Sequence, residues 1–515
     1  MKNKRIKNVD VLRFIIFILF LIWFIYFYII SIYLRVYIKY LFPIFFILLV
    51  LLFIPKSKGI INKKLLLTTK ILIYFIFFSF FIIYIWKSFY IKDSFFVLYL
   101  YWVSVTYVLL IIFYVAIFKY EDPYLLAKEI INKNEKLGIK INKPLVSCVV
   151  AVYNEEKLVE WCIKSMINQT YENIEIIFVN DKSTDKTIDI LNKYKKQWKI
   201  IVIDLEKNVW KKKAIAEWIK LSKWNIIAMS DSDSVWDSKV IEKMVKIFAV
   251  FDNVWWVSWH WRALNASKNI FTKVQDSWYE WQFSIRKAFE SVYWSITCIS
   301  WPLAVFRREA IFNYIPAWIN DSFLWQEFKF ATDRTLTWFV LWSKVLWKKL
   351  KKQYNDSYFV KSVNYKERDW DIVYSKSTKS WTNVPDTFWK IITQQVRWKK
   401  SFIRNIFLTG SFYRRKPLLP ALFYYLHVLF VFIWPVISFR HIIYFPIKWD
   451  LLSPIFYLLW IVYVWLLFWI AFKIENRNSN IWIYRPLMSL LSTLVISWLI
   501  FYSLFTIKKM IWIRN

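Results

Sequence analysis

Long apolar stretches at both ends of the chain enclose a central region in which hydrophobic residues come in shorter runs. Four such stretches open the chain, each close to the roughly 20 residues that a helix needs to cross a bilayer. They lie near Val11–Leu34, Tyr37–Ile54, Leu65–Ile85 and Phe95–Phe118. Three more lie near Leu418–Phe439, Ile455–Phe472 and Leu487–Ile507. The pattern predicts α-helical transmembrane regions at residues 1–120 and 417–515.

The loops between these stretches predict on which side of the membrane the central region lies. Basic residues are more numerous before the first stretch and after the second than in the alternate loops, and loops rich in Lys and Arg stay in the cytoplasm. Four crossings then leave the central region cytoplasmic, in a multi-pass protein of the cell (plasma) membrane. Three later crossings would place the C-terminus outside, whereas Lys508, Lys509 and Arg514 favour the inside. We therefore expect one of the last three stretches to be interfacial or re-entrant.

From about Leu145 onward, short β-rich apolar runs alternate with charged helical stretches, which is the pattern of βαβ units. The candidate strands are Val146–Val152, Ile174–Val179, Ile200–Ile203 and Asn225–Met229. We expect an α/β, Rossmann-like domain with a mostly parallel sheet over residues 145–385, inserted between the two membrane regions.

Polar residues follow each candidate strand, and ligands of open α/β sheets bind at the carboxyl ends of the strands. Tyr153 and Glu155 follow the first strand, Asp181 the second, and Asp231 and Asp233 the fourth. These side chains are therefore expected to meet in one cleft. Asp181 can hydrogen-bond the base or ribose of a nucleotide; the alternative is a helix cap, a role that better suits Ser183 or Thr184.

Two further groups fit a nucleotide diphosphate. Lys211 and Lys212 open a helix after a tight turn, where cationic side chains can meet the nucleotide; the alternative is a solvated helix face. Asp231 and Asp233 stand at alternate positions of an extended strand end, so both can face one cation. Mg²⁺ or Mn²⁺ would bridge Asp233 and the diphosphate, whereas the alternative is a surface turn.

Asp333 is the candidate general base, because a carboxylate beside an acceptor hydroxyl can take its proton. The alternative is an ion pair with Arg334 on a helix surface. Residues 386–410 have apolar residues at helical spacing and basic residues among them, which predicts an amphipathic helix on the cytoplasmic membrane surface rather than an ordinary core helix. On it, Arg397 could stabilise a leaving diphosphate and Trp398 could stack on a sugar ring or anchor the helix in the membrane.

The charge and cysteine content narrow the class of protein. The formal net charge is +36, but the basic residues cluster beside apolar stretches and no nucleic-acid-binding module is present, so we expect no nucleic-acid partner. Cys148, Cys162 and Cys298 show neither paired nor metal-site spacing, which predicts reduced cysteines in the cytosol.

The glycine and tryptophan contents are both abnormal. The chain has 3 Gly and 34 Trp, and Trp stands where a small residue is expected, as at Trp210 and Trp301. An aromatic belt at the membrane interface would explain a few of them but not those of the central domain. Our hypothesis is that a codon meaning glycine in the source organism has been translated as tryptophan, with Trp398 an authentic tryptophan.

Taken together, the motifs of residues 146–404 resemble those of processive family-2 glycosyltransferases, most closely hyaluronan synthases and the related chitin-oligosaccharide synthases. The resemblance rests on Ala151–Glu156, Val179–Asp185, Asp231–Asp233, Cys298–Arg307, Thr332–Thr337 and Gln394–Ser401. It implies a GT-A-like fold and an inverting transfer of sugar from a UDP-sugar, with UDP-N-acetylglucosamine favoured.

The resemblance also implies roles for residues. Asp181 and Asp231 would contact the nucleotide with Tyr153, Glu155, Lys211 and Lys212, Asp233 would hold the metal, and Asp333 would be the base. The diphosphate and acceptor site would be lined by Ser300, Arg334, Gln394, Arg397 and Trp398.

Two positions depart from the family pattern. The family usually has a second acid before its catalytic aspartate, and here that position is Thr332. The family's C-terminal Trp-Gly-Thr-Arg gating segment is reduced to Ile511-Trp512-Ile513-Arg514, which puts long-chain processivity in question.

We therefore expect a membrane-embedded transferase that elongates an extracellular polysaccharide, such as hyaluronan or a chitin-like glycan, and translocates it. The expected partners are a UDP-sugar, the growing glycan or a lipid-linked acceptor, and the lipid bilayer. Two alternatives are a non-processive transferase acting on a lipid carrier and a transporter with an inactive transferase-like domain.

Overall fold

The computed structural model describes residues 105–106, 108–138, 143–221, 225–298, 302–324, 326–327, 332–342, 350–363, 365–366, 368–475 and 479–509. The first three predicted membrane stretches, most of the fourth, Ser300 and the C-terminal Trp512 lie outside these residues. All of the described residues belong to one unit, Leu98–Asn515.

Eight strands form one mixed sheet, and its parallel half follows the prediction. The order is β3-β2-β1-β4-β7-β6-β10-β5, in which β1 to β4 pair in parallel. The four predicted strands are each found to within one residue at either end. The bounds are β1 Val146–Val152, β2 Ile174–Asn180, β3 Ile201–Asp204, β4 Ile226–Ser230, β5 Ser234–Trp236, β6 Val254–Ala263, β7 Ala304–Arg307, β8 Ser322–Phe323, β9 Gln326–Glu327 and β10 Asp371–Thr382, with β8 and β9 forming a separate hairpin.

The other half of the sheet contains antiparallel pairs. β7 lies antiparallel between β4 and β6, β6 pairs in parallel with β10, and β5 closes antiparallel on the end of β10. Thr382 thereby lies opposite Ser234, next to Asp233. The predicted α/β fold class is confirmed, and the sheet is mixed, with four parallel and three antiparallel pairings.

The helices pack around this sheet and continue into the C-terminal apolar region. Those of the central domain are α1 Pro123–Lys136, α2 Val159–Ile167, α3 Thr187–Lys195, α4 Trp210–Leu221, α5 Val240–Val250, α6 Ile270–Glu280, α7 Ala288–Val292, α8 Arg308–Ile311, α9 Ile315–Ile319, α10 Thr332–Leu341 and α11 Tyr358–Lys361. Those that follow are α12 Phe388–Tyr413, α13 Leu418–Phe439, α14 Phe445–Ile447, α15 Leu452–Glu475, α16 Arg485–Leu491 and α17 Leu499–Phe505.

Helix α5 illustrates how the sequence pattern builds the core. Its apolar residues Val240, Ile241, Met244, Val245 and Phe248 recur at the spacing of one helix face, and all five are buried. Burying a side chain of this size stabilises a fold by about 1.5–3 kcal/mol. The helix is thereby held on the sheet, behind the strands that carry the candidate site.

Helix α12 is longer than predicted and differently oriented. It extends to Tyr413, and its side chains Trp389 and Phe407 are exposed. The basic residues Lys400 and Arg404, however, are buried at 4% and 5% exposure instead of facing lipid headgroups. They are buried because each has a specific acceptor: the Lys400 ammonium donates to the Lys509 carbonyl, and Arg404 pairs with Asp321.

Three helical segments among the described residues are long and apolar enough to cross a membrane: Leu418–Ile447, Leu452–Ile474 and Ile481–Phe505. The third is interrupted by a π-helical turn at Ser492–Ile496. Its start packs on α6, where Met488 contacts Val274, and its end packs on α12, where the Ser503 hydroxyl donates to the Val396 carbonyl. This segment therefore contacts two neighbouring helices, and the interfacial or re-entrant stretch expected among the last three stays a prediction.

Candidate active site

The turns after β1 and β2 are bonded to each other. Asn154 adopts a left-handed conformation with φ 52°, which asparagine tolerates better than most residues. Its side-chain oxygen accepts from the Thr184 amide at 2.8 Å, and its own amide donates to the Ser183 hydroxyl at 3.1 Å. The Glu155 amide donates to the Thr187 hydroxyl at 2.9 Å. These bonds fix Tyr153 and Glu155 beside Asp181.

Asp181 is buried directly after β2. One carboxylate oxygen accepts from the Val209 amide at 2.8 Å, and its carbonyl accepts from the Asn208 side chain at 3.2 Å. The carboxylate thus ties the turn before α4 to the sheet and places the start of α4 at the cleft. Lys212 lies on that first turn and is 7% exposed, with its ammonium 3.9 Å from the Asp321 carboxylate. Lys211 lies on the same first turn of α4.

Asp231 and Asp233 form the turn between β4 and β5. The Asp231 carbonyl accepts from the Ser234 amide at 3.3 Å, and the Ser230 hydroxyl donates to the Pro302 carbonyl at 2.9 Å. The Thr382 hydroxyl at the end of β10 lies 3.4 Å from an Asp233 oxygen. Strands from both halves of the sheet therefore fix the turn that carries the two carboxylates.

Asp333 lies on the first turn of α10. Its carboxylate accepts from the Arg334 amide at 2.8 Å. Burial raises the pKa of Asp333 above its ordinary value, the Arg334 guanidinium opposes this, and the nearby Asp231 carboxylate adds to it. Arg334 is itself held by the Cys298 thiol and the Asp333 charge. A carboxylate with a raised pKa is a stronger base than an exposed aspartate, which suits proton abstraction.

Helix α12 presents Gln394, Arg397 and Trp398 to the same region. The Gln394 side chain hydrogen-bonds Tyr279 on α6, and the Arg397 and Asp233 charges both act on that tyrosine. Trp398 stacks on Trp278 with ring centres 5.4 Å apart. The Gln394 side-chain oxygen is buried without a hydrogen-bond partner among the described residues, so it can accept a bond from a bound ligand.

One cavity of about 1400 Å³ connects these groups. The structure brings the predicted site residues that it describes to this cavity. They are Tyr153, Glu155, Asp181, Lys212, Asp231, Asp233, Asp333, Arg334, Gln394, Arg397 and Trp398.

Several cavity residues were not anticipated from the sequence. Tyr279 on α6 lines the cavity within electrostatic range of Asp233 and Arg397, and burial raises its pKa. Lys287 follows α6 and donates to the Cys298 carbonyl at 2.7 Å. Both stand in a helical stretch without a recognisable motif. Only the folded structure shows that they line the cavity.

The oxygen donors at the β4–β5 turn suit a hard divalent cation. Asp231 and Asp233 supply carboxylates, and in the described part of the chain no group of three or more His, Cys, Asp or Glu residues could hold a metal alone. Mg²⁺ commonly binds through one or two carboxylates and takes its other ligands from substrate phosphates and water. The residues therefore fit a cation that arrives with a nucleotide diphosphate.

Comparison with known sequences identifies the domain. The sequence model of the family described as Glycosyl transferase family 2 matches residues 147–314. A hyaluronan synthase from Streptococcus pyogenes is 25% identical over 376 residues, which cover 71% of this chain and 82% of that relative. A poly(ribitol-phosphate) beta-glucosyltransferase from Bacillus spizizenii is 50% identical over 60 residues, which cover 11% of this chain and 10% of that relative.

Solved structures with partial similarity include two glycosyltransferases. The mannosyltransferase PcManGT from Pyrobaculum calidifontis, in complex with GDP-Man and Mn²⁺, has a TM-score of 0.43 at 14% identity over 78% of this chain and 98% of that one. S. aureus TarS 1-349 in complex with UDP has a TM-score of 0.33 at 14% identity over 67% of this chain and 90% of that one.

The sequence match and the cavity concern the same part of the chain. Residues 147–314 include most of β1, all of β2 and β4, and the turns that follow these strands. The matched segment carries Asp181, Asp231 and Asp233 into the cavity, so residues 147–314 form a Glycosyl transferase family 2 domain, in a chain that is similar to hyaluronan synthase and has apolar helices long enough to cross a membrane.

Proposed function

We propose that the protein is an inverting, divalent-cation-dependent glycosyltransferase that elongates an extracellular polysaccharide and passes it across the cell membrane. UDP-sugars are the donors, with UDP-N-acetylglucosamine favoured, and the product is hyaluronan or a chitin-like glycan. The catalytic domain faces the cytoplasm. The hyaluronan synthase relative supports this choice of product.

The observation that carries the proposal is the extent of the cavity. From the carboxylates it continues between the apolar helices, where its walls include Phe423, Tyr424 and Phe430 on α13 and Val464 and Phe468 on α15. Aromatic faces suit sugar rings, whose C–H surfaces are apolar. A cavity of about 1400 Å³ exceeds the roughly 300–1,000 Å³ of an ordinary small-molecule pocket, so it has room for an acceptor chain besides the donor.

Each part of the reaction has a group in this chain. Tyr153, Glu155, Asp181 and Lys212 border the part of the cavity that would take the nucleotide. Asp333 accepts the proton of the acceptor hydroxyl as that oxygen attacks the anomeric carbon, the bond to the diphosphate oxygen breaks, and the carbon inverts. Arg397 and Gln394 meet the leaving diphosphate, and Trp398 meets the acceptor sugar.

The cation would be held by Asp233, with Asp231 beside it. When bound, Mg²⁺ or Mn²⁺ neutralises charge that develops on the departing diphosphate. The Thr382 hydroxyl, 3.4 Å from Asp233, helps to keep that carboxylate oriented.

Product analysis tests the proposal. Membranes containing the protein are incubated with labelled UDP-sugars, singly and in pairs, and the products are separated by size and by solvent partition. We expect a polymer that does not partition into organic solvent, and release of UDP that requires a divalent cation. A single sugar attached to lipid would instead support the non-processive alternative.

The Asp333→Asn variant tests the assignment of the base. We expect UDP release to fall by roughly 100-fold or more, since general-base catalysis contributes about 10²–10⁴-fold. Asp356→Asn is the matched control, because this aspartate is 94% exposed and pairs only at the surface with Lys361. Unchanged UDP release in Asp333→Asn would rule out its role as base.

A further inference from the structure

A buried arginine, Arg404, connects the two helices that carry the proposed catalytic groups. Arg404 on α12 donates to both carboxylate oxygens of Asp321, and the two side chains are 3% and 9% exposed. Its other terminal nitrogen donates to the Thr335 hydroxyl on α10 at 2.6 Å. One guanidinium therefore holds α10 and the segment between α9 and β8 against α12.

Thr335 and Arg404, which make these contacts, stand on the same helices as the proposed catalytic residues. Thr335 lies two residues after Asp333 on α10 and is 1% exposed. Arg404 lies seven residues after Arg397, which is close to two helical turns, so both arginines stand on one face of α12. The contacts of Arg404 thus fix the position of α10, which carries Asp333, relative to the face of α12 that carries Arg397.

The same carboxylate also meets the nucleotide side of the cavity. Lys212, which lines the cavity, has its ammonium 3.9 Å from an Asp321 oxygen. Asp321 therefore lies between a lysine at the proposed nucleotide site and an arginine that holds the helix of the base.

We propose that Asp321 and Arg404 are positioning residues that hold Asp333 in line with the donor by fixing α10 against α12. This inference rests on the proposed function, since it assigns the purpose of the pair within that reaction. Arginine is required because its planar fork can bond the carboxylate and the hydroxyl together, whereas a lysine ammonium is a point charge.

Conservative variants test the proposal without leaving a buried charge unpaired. Arg404→Lys keeps the charge beside Asp321 but loses the fork, and Thr335→Val removes the hydroxyl that the fork reaches. We expect each to lower kcat by roughly 10–100-fold with the KM for UDP-sugar nearly unchanged, because a small misplacement of catalytic groups costs about this much. The double variant should be no worse than either single one, since both remove the same contact.

Glu309→Gln is the control, because it removes an ion pair with Arg368 that lies away from the cavity. It should leave kcat and KM at the wild-type values. Additive losses in the double variant, or a kcat that stays at the wild-type value, would overturn the positioning role. Asp333→Asn tests the proposed function independently of the Asp321–Arg404 pair. The proposed function and the positioning role can therefore be contradicted separately.

A second, independent observation concerns how three helices end. After α3, the Trp198 amide donates to the Lys195 carbonyl at 2.9 Å and the Lys199 amide to the Tyr194 carbonyl at 3.3 Å. This pair of bonds defines a Schellman motif, in which the residue after the C-cap is left-handed and is usually glycine. Here that residue is Trp198, with φ 58°.

The same motif recurs twice with tryptophan in the same place. Trp294 (φ 52°) follows α7, and Trp449 (φ 66°) follows α14. In each, this residue donates to the carbonyl three positions back, and the next residue to the carbonyl five positions back. Gly138, after α1, has φ 78° and makes the first of these bonds, so a glycine of this chain takes the equivalent position.

Packing does not compensate for the strained tryptophans. Trp198 and Trp449 are 96% and 90% exposed, so their indoles gain little burial in return for a conformation that a Cβ atom disfavours. The tryptophans of strand β6 are buried instead of exposed. Its Trp255, Trp256 and Trp259 are at most 1% exposed, and their indole nitrogens have no hydrogen-bond partner among the described residues.

We propose that positions 198, 294 and 449, and most of the other tryptophan positions, are glycine in the protein as its own organism makes it. A glycine adopts left-handed φ without a Cβ penalty and brings no indole nitrogen into β6. The content of 3 Gly and 34 Trp then becomes an ordinary glycine content. Trp398 is excluded, because it fits its motif as tryptophan.

Mass spectrometry of the protein from its native cells tests this proposal. Trypsin cuts after Lys287 and Arg307, so one peptide covers Trp294 and Trp301. We expect its mass to match glycine at both positions, while a peptide spanning position 398, from a protease that does not cut at basic residues, keeps tryptophan. The gene should show one triplet at positions 198, 294 and 449 and another at 398. Indole at position 294 would overturn the proposal.

Discussion

At the scale of single residues, the environment of Asp333 decides how the proposed enzyme should respond to pH. Burial raises the pKa of this carboxyl, while the Arg334 guanidinium lowers it. The base works only when it is ionised, so the rate must fall as the pH drops through its raised pKa. The acid limb of the pH profile therefore lies above the ordinary aspartate range, and Arg334 keeps it from lying higher still.

We predict that Arg334→Gln moves this acid limb of kcat to higher pH by about one unit or more, because an opposite charge lowers a carboxyl pKa by about 1–3 units. UDP release measured from pH 4 to pH 9 gives the limb directly. Arg368→Gln, which removes an arginine paired with Glu309 outside the cavity, should leave it in place. An acid limb that stays in place in Arg334→Gln would show that another group titrates there.

The sequence predicts that the candidate site residues converge, but not how their neighbours hold them in place. Asp181, Asp231 and Asp233 follow strands whose apolar pattern is plain, so their convergence could be predicted. The burial of Arg404 could not, because its partner Asp321 is 83 residues away and stands in no motif. A basic side chain on an amphipathic helix looks solvent-facing until its acceptor is known.

At the scale of secondary-structure elements, Asp122 joins the start of α1 to the sheet. Its carboxylate caps α1 by accepting from the Tyr124 amide at 2.9 Å. It also accepts from the Ser375 hydroxyl at 2.8 Å and the Ser377 amide at 2.7 Å, at the irregularity in β10. The Asp122 carboxylate thus accepts hydrogen bonds from the start of α1 and from the irregular part of β10, the strand that ends at Thr382.

We predict that Asp122→Ala destabilises the protein by about 2–4 kcal/mol, from a lost cap of about 1 kcal/mol and an unsatisfied strand amide of about 1–3 kcal/mol. The apparent Tm of the purified protein, compared at one scan rate, should fall by several degrees, at roughly 2–4 °C for each kcal/mol. Glu129→Ala removes an exposed pair with Lys133 and should change the Tm little. Equal Tm values for the two variants would contradict the role of Asp122.

The hydrophobic pattern of the sequence predicts one half of the sheet but not the other. Strands β1 to β4 have the β-branched runs of a buried parallel sheet and were predicted to within a residue. Strand β6 was missed, because four of its ten residues are tryptophan and hide its period. Its parallel pairing with β10 spans more than a hundred residues, so nothing local indicates the mixed half of the sheet.

At the scale of the whole molecule, the cavity connects the site to the apolar helices, and the third apolar segment forms part of its wall. Met488, Ser492, Ile496 and Ser497 of that segment line the cavity. Both ends of the segment contact the catalytic domain, at α6 and α12. A change in either helix can therefore be transmitted to the wall beside the proposed path of the glycan, which would couple elongation to translocation.

Two valines on α15 allow the translocation path to be tested within one helix. Val464 lines the cavity, whereas Val462 is 44% exposed on the outer surface. We predict that Val464→Trp shortens the polymer, because an indole at that position narrows the path for sugar rings, while the initial rate of UDP release stays near the wild-type value. Gel sizing of labelled product together with a UDP-release assay separates the two effects. Val462→Trp adds the same bulk towards lipid and should leave polymer length unchanged. Equal polymer lengths for the two variants would mean that the glycan leaves by another route, and the wall of α15 would then belong to an acceptor pocket rather than to a channel.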